Sequence, residues 1–291
     1  MKYNTSLNPD LKPFIKWVGG KRKLLVELEN RLPKNINELT YFEPFLGGGA
    51  LFLYLQPKNA IISDSNTELI NCWNIVKNKP NELINDLDKL ESNKETYYEL
   101  RKLDHDLNFK TKDNEVLRAV RFIYLNKLCF NALWRENKNG YMNAPYNGNT
   151  AHISTLVNYD NIIEISKYLN SANITIRCCS YEDIIKEQTN FTNTFWYLDP
   201  PYADSDFKKT FNSYNANAES NDIFHEKLRN NFTILTNNGA KVLESNNNSQ
   251  YVKTLYDGYF IDDVYTSRCI GGLGSERGQI KELIIRNYEN L

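Results

Sequence analysis

The segment that most constrains the fold is FWYLDPPY, residues 195–202. The apolar run Phe195, Trp196, Tyr197 and Leu198 reads as a strand. Asp199 follows it, then two prolines. Proline fixes φ and has no N–H to give to a ladder, so the strand has to stop where the carboxylate stands. An acid (Asp199), a stiff backbone (Pro200–Pro201) and an aromatic face (Tyr202) are thereby gathered at one strand tip.

Strand and helix patterns alternate along the rest of the chain. FIKWVGGKRKLLVELENRLP carries a Gly-Gly turn, then Leu24, Leu25, Leu28 and Leu32 at helical spacing, closed by Pro33. TYFEPFLGGGALFLYL reads as strand, glycine turn and helix, and NAIISDSN as a short strand ending at Asp64. Residues 66–157 have a helical texture. Residues 115–128 set Val116, Val120, Ile123, Tyr124 and Leu128 on one face, ahead of the loop CFNALWRENKNGYMNAPYNGNT. Alternation resumes at ITIRCCS (174–180), KVLES (241–245) and KELIIRNY (281–288). The pattern predicts an α/β fold with a mostly parallel, doubly wound, Rossmann-like sheet built from residues 1–65 and 158–291, and a helical insertion at 66–157. Ligands of such sheets sit at the carboxyl ends of the strands. Asp64, Asp199 and the glycines at 47–49 all fall there, so one site could hold all three.

The chain has 291 residues, 41% of them hydrophobic and 24% charged, enough for one large domain or a domain with a substantial insertion. No apolar stretch approaches the roughly 18 residues of a membrane span. The N-terminal MKYNTSLNPDLKP lacks the apolar core of a signal peptide. Five cysteines without C-x-x-C spacing suit reduced thiols in a cytoplasm and argue against a zinc site or a disulfide framework, so no metal is expected. A net charge of −1 does not advertise a polyanion partner. Its distribution is uneven: residues 118–147 carry five Lys/Arg against one acid, and residues 182–226 three against nine. One basic face for nucleic acid would account for this, and so would ordinary solvated patches.

FEPFLGGGALF only partly matches a dinucleotide fingerprint, because Phe52 stands where the last glycine of G-x-G-x-x-G belongs. Gly47 to Gly49 still allow a tight turn that brings backbone close to a ligand. Asp64, seventeen residues beyond Gly47, is placed to accept from a ribose diol. Together they point to a ribose-containing cofactor and leave NAD and S-adenosylmethionine open. Residues 199–202 discriminate between the two. An exocyclic amine on a nucleobase is a poor nucleophile because its lone pair is delocalised into the ring. A carboxylate and a fixed carbonyl, both accepting from the NH₂, would push that nitrogen toward tetrahedral geometry. Asp199 offers the carboxylate, Pro200 the carbonyl, and Tyr202 a face on which an extruded base can lie. Methylation at carbon 5 of cytosine needs a nucleophilic cysteine, commonly after proline, and the chain has no Pro-Cys pair.

These motifs, in this order, resemble the Dam-type DNA adenine methyltransferases, whose cofactor motifs precede a target-recognition region and then D-P-P-Y. The likeness covers nearly the whole chain. FIKWVGGKRKLL resembles the family's K-W-x-G-G-K segment, which implies that Trp17 and Lys21 contact the cofactor S-adenosylmethionine. FEPFLGGGALF implies cofactor roles for Phe45 and Gly47, and ISDSN puts Asp64 on the ribose hydroxyls. CCSYEDI implies that Ser180 and Tyr181 border the cofactor's adenine. YLDPPY is the catalytic tetrapeptide, with Asp199 also near the cofactor. LNKLCFNALWRENKNGYMNAPYNG resembles the recognition loop. By that likeness Phe130 wedges into the duplex, Asn131 lies near the vacated position, and Leu133, Arg135 and Pro145 read flanking bases. Arg268 and Arg277, in a glycine- and basic-rich loop, would hold DNA phosphates. The resemblance implies double-stranded DNA as partner, a monomer or weak dimer, and the family's usual GATC target. Cytosine N4 poses the same chemical problem and stays as the alternative. Ala132, Trp134, Glu136, Met142, Asn147 and Ser65 depart from the family pattern, and none of them touches the catalytic tetrapeptide.

Overall fold

The computed structural model describes residues 10–106, 108–132, 134–203, 221–267 and 279–289. In chain order the helices are α1 (Leu25–Glu29), α2 (Ala50–Leu55), α3 (Thr67–Asn78), α4 (Pro80–Asp88), α5 (Lys94–Lys102), α6 (Glu115–Leu128), α7 (Ile153–Leu156), α8 (Tyr159–Ser171), α9 (Tyr181–Glu187), α10 (Asn221–Asn237) and α11 (Gln250–Leu255). The strands are β1 (Thr40–Glu43), β2 (Asn59–Asp64), β3 (Asn173–Cys178), β4 (Thr194–Leu198), β5 (Lys241–Asn247), β6 (Phe260–Ser267) and β7 (Gln279–Arg286). The chain divides into two compact units, residues 1–20, 47–56 and 64–178, and residues 21–46, 57–63 and 179–291. Among the described residues no helix is long and apolar enough to cross a membrane.

The first unit is mainly helical, and its asparagines explain where helices begin. The side chains of Asn66, Asn93 and Asn158 accept from the N–H groups of Leu69, Thr96 and Asn161, capping α3, α5 and α8. Pro80 opens α4, where a missing N–H costs nothing. Helix α6 matches the sequence expectation end to end, but its burial does not follow one stripe. Every residue from Ala119 to Asn126 is buried. Arg121 can be inside because Asp104 lies 2.6 Å from its guanidinium and the carbonyl of Leu100 accepts from Nε at 2.7 Å.

In the second unit the strand order is β2-β1-β4-β5-β7-β6. β1 pairs in parallel with β2 and β4, and β4 in parallel with β5. β7 runs antiparallel to both β5 and β6. The expected doubly wound α/β sheet is borne out, with an antiparallel edge pair added. β6, FIDDVYTS, gives little strand signal because Asp262 and Asp263 interrupt its apolar residues. Central β4 is buried at all five positions, as a strand covered on both faces must be. Phe42 of β1 stacks on Trp196 with centroids 4.1 Å apart.

Beside Leu198 in this sheet lies Glu244 of β5, fully buried. Tyr256 donates its hydroxyl to one carboxyl oxygen at 2.7 Å and Asn246 its amide to the other at 3.0 Å. Burial outweighs these donors and pushes the carboxyl up to about 8, with nearby Asp199 adding to the rise. The native state thus binds this proton more tightly than the unfolded chain. The associated stability is complete below the ordinary value of 4.5 and is lost as pH rises through about 8. Its slope reaches about 1.4 kcal/mol per pH unit. Urea unfolding between about pH 5 and pH 8 is expected to show a falling midpoint, with a shallower fall for Glu244→Gln. Equal slopes in the two proteins would contradict this account.

Candidate active site

The second unit holds the strand tip singled out by the sequence. β4 ends at Leu198, and Asp199 emerges with its side chain 19% exposed. The Lys21 ammonium, itself buried, lies 2.7 Å from Asp199 Oδ1 and 4.7 Å above the centre of the Tyr202 ring. Burial raises the Asp199 carboxyl above the ordinary range, Lys21 opposes that rise, and Glu282 adds to it. The Tyr202 hydroxyl donates to Glu282 Oε2. Asn221 and Asn247 fix the following backbone, donating to the carbonyls of Tyr202 and Ala203 at 3.3 and 2.9 Å. Pro200 is buried and Pro201 exposed. Lys21, Asp199 and Tyr202 are therefore in direct contact.

Phe45, Tyr181 and Phe224 form an aromatic cluster in the same unit, with centroid separations of 5.2 to 6.3 Å. Ser180 places Tyr181 at the start of α9 through a capping box: Ser180 Oγ accepts from the Asp183 N–H, and the Asp183 carboxylate accepts from the Ser180 N–H.

Trp17, Gly47 and Asp64 come together in the first unit. Gly47 adopts φ +48°, and a Cβ there would lie 2.5 Å from Cδ1 of the Trp17 indole. Any side chain there would strain the backbone and have to displace the indole. One Asp64 oxygen accepts from the Gly47 N–H at 3.0 Å and the other from the Asn66 N–H at 2.9 Å. Burial nevertheless raises the Asp64 carboxyl, against the pull of these backbone donors. A carboxylate has about four acceptor positions, so room remains for further donors such as a ribose diol.

Residues 129–146 of the first unit form a hairpin. Isolated bridges join Cys129 to Tyr146 and Glu136 to Met142, and the Phe130 N–H donates to the Pro145 carbonyl at 2.8 Å. Phe130 is 58% exposed, the most exposed aromatic among the described large hydrophobics. Asn131 takes a left-handed φ of 56°, which turns the chain out of α6. Arg135 is exposed, its Nε donating to Asn143 Oδ1 at 2.7 Å, and Pro145 is exposed. Leu133, Arg268 and Arg277 lie outside the described residues.

The structure also explains two departures from the family pattern. Trp134 is buried against Phe122, centroids 4.3 Å apart, and donates its indole N–H to Glu136 at 3.0 Å. The Asp104 carboxylate that pairs with Arg121 also accepts from the Met142 N–H at 2.8 Å, pinning the hairpin to the helical layer. Sequence reasoning missed Asp104, Phe224, Asn143 and Glu282. For Glu282 the local signal is weak, because Gln279, Lys281 and Arg286 share its strand.

A largely parallel α/β sheet that presents Asp-Pro-Pro-Tyr at the end of its buried central strand is a Rossmann-like methyltransferase. The chain belongs to the D12 class N6 adenine-specific DNA methyltransferases, whose family model matches residues 17–268. Enzymes of this family draw the methyl group from S-adenosylmethionine and act on duplex DNA. The chain is 38% identical to the Type II methyltransferase M1.LlaDCHI of Lactococcus lactis subsp. cremoris, over 97% of both chains. It is 37% identical to the Type II methyltransferase M.MjaIII of Methanocaldococcus jannaschii, over 96% of this chain and 100% of that one. It is 30% identical to the DNA adenine methylase of Vibrio cholerae, over 94% and 95% respectively. Among the described residues no cluster of three His, Cys, Asp or Glu could hold a metal ion.

The Gly47–Trp17 contact makes a sharp prediction. Gly47→Ala is expected to destabilise the protein by about 1–3 kcal/mol through backbone strain and displacement of the indole. Gly48→Ala, whose Cβ would meet Trp17 Cβ at 3.4 Å, is expected to be tolerated. Thermal unfolding of the two variants side by side checks this, and equal stabilities would contradict it.

Proposed function

We propose that this enzyme methylates the N6 amine of an adenine flipped out of duplex DNA at GATC. The observation that carries this reading is the cation held at the β4 tip. A tetrahedral, positively charged nitrogen, that of Lys21, sits against the Asp199 carboxylate and over the Tyr202 ring. Those are the surroundings an adenine N6 requires as it gains positive charge. In the proposed reaction Asp199 accepts a hydrogen bond from the target amine, turning its lone pair out of the ring plane. The Pro200 carbonyl accepts the second N–H in a direction its ring fixes. Tyr202 bears the extruded base, and Asp199 stabilises the charge on nitrogen until N6 releases one proton to water.

S-adenosylmethionine supplies an electrophilic sulfonium methyl. We assign its recognition to Trp17, Lys21, Phe45, Gly47, Asp64, Ser180, Tyr181 and Asp199. The fit rests on the acceptor capacity of Asp64, beside the Gly47 turn that packs on Trp17, and on the aromatic cluster around Phe45 and Tyr181. Pro201 stiffens the tetrapeptide.

We assign DNA recognition to residues 66–157, inserted in a catalytic domain of residues 1–65 and 158–291. Phe130 wedges into the stack and Asn131 follows it, while Arg135 takes a guanine edge with Leu133 and Pro145 beside it. Arg268 and Arg277 take phosphates. The exposure of Phe130 and Arg135 on one hairpin supports this reading. The enzyme acts as a monomer or weak dimer in the cytoplasm. The names of the relatives at 38% and 37% identity favour a place in a type II restriction-modification system.

Single-molecule sequencing of DNA from cells expressing the chain tests site and base together. Methyl-adenine at GATC is the expected mark, with relaxed flanking preference for Arg135→Ala. Methyl-adenine in another context would overturn the GATC reading, and methyl-cytosine would overturn the choice of base.

A further inference from the structure

We infer that Glu282 is a positioning residue for methyl transfer: its carboxylate takes the hydroxyl of Tyr202 and so sets the aromatic face on which the target base stacks. The inference rests on the activity proposed above and adds a residue that the sequence motifs do not contain.

Glu282 stands on β7, opposite Asn247 of β5 and Val264 of β6. Its neighbours along the strand, Leu283, Ile284 and Ile285, are fully buried. An acid at this place carries an electrostatic cost, because it faces Asp199 and raises that carboxyl, working against the charge the reaction needs. A glutamine could supply a neutral acceptor there without that repulsion. What only the carboxylate supplies is a charged acceptor for a phenol. Burial, followed by Asp199 and Glu282, holds the Tyr202 hydroxyl well above its ordinary range, so it remains a proton donor at neutral pH.

A charge-assisted bond of this kind does two things. It fixes the plane of the ring, whose backbone Asn221 and Asn247 already anchor. It also moves electron density toward the phenol oxygen and into the ring, strengthening the face that meets a developing cation. Lys21 shows that the ring attracts a cation, with its ammonium 4.7 Å from the ring centre. Asp199 and Glu282 against Lys21 leave one negative charge in excess, ready for the positive nitrogen of the transition state.

The test is a double-mutant cycle on the full-length protein with a duplex carrying the target adenine. Tyr202→Phe keeps the ring and removes only its hydroxyl. Glu282→Gln keeps the size and removes the charge. Each is expected to lower kcat about tenfold, with KM for DNA within about twofold, and the double variant is expected to lose little more than either single one. Two further readouts separate positioning from a general loss of structure. The groups facing Asp199 are Lys21, Tyr197, Tyr202, Glu244 and Glu282. Removing the Glu282 charge lowers the Asp199 pKa, so the acid limb of kcat should move to lower pH in Glu282→Gln. With 2-aminopurine at the target position and no cofactor, both single variants should fluoresce more brightly than the wild type, because the base is held less firmly against the ring. Additive losses, an unmoved acid limb, or wild-type fluorescence would each overturn the role of Glu282. A wild-type protein that leaves adenine unmethylated would instead overturn the activity on which the role rests.

Discussion

A carboxylate at the end of a strand buried along its whole length resists ionisation, and the chemistry at this site needs it ionised. Burial and Glu282 push the Asp199 carboxyl upward. The Lys21 ammonium at 2.7 Å pulls it back and lies over the Tyr202 ring at the same time. Much of the surrounding architecture serves this balance. β4 needs parallel partners on both sides to be buried, the two prolines end it where the acid stands, and Lys21 must be buried to reach it. The cation and the aromatic face form a compact arrangement suited to a nitrogen that becomes positive.

The hairpin of residues 129–146 depends on a different buried charge. Asp104 pairs with Arg121 and also accepts from the Met142 N–H, so a single carboxylate joins α6 to the far strand of the hairpin. Trp134 fills the space beside Phe122. With its interior secured in this way, the hairpin can leave Phe130 and Arg135 exposed. A loop without such support would have to be ordered on binding any partner, at a cost in entropy.

The elements that carry the chemistry were the most legible in the sequence, because their signals are local. The stop at Pro200–Pro201 and the tight turn at Gly47 each follow from a few adjacent residues, whereas the Ser180 cap emerged only in the structure. β6 was not legible, since Asp262 and Asp263 hide its pattern. Glu282 does not stand out in a strand that also carries Gln279, Lys281 and Arg286, and its partner Tyr202 is eighty residues away. Trp134 and Glu136, which departed from the family pattern, acquire a reason from Phe122 and from each other. Arg121 was equally hidden: helical periodicity predicts which face is apolar, whereas a guanidinium enters the core only when a distant carboxylate and carbonyl meet it. Local grammar located the chemistry, and long-range pairing decided how it is held.

The most direct measurement is nucleoside mass spectrometry of duplex DNA incubated with the purified protein and methyl-labelled S-adenosylmethionine, wild type beside Asp199→Asn. The account predicts label in N6-methyladenosine for the wild type. For the variant it predicts at least a hundredfold less label, about 3 kcal/mol of lost transition-state stabilisation, with cofactor binding retained. Label in N4-methylcytosine, or a variant that keeps the wild-type rate, would contradict it.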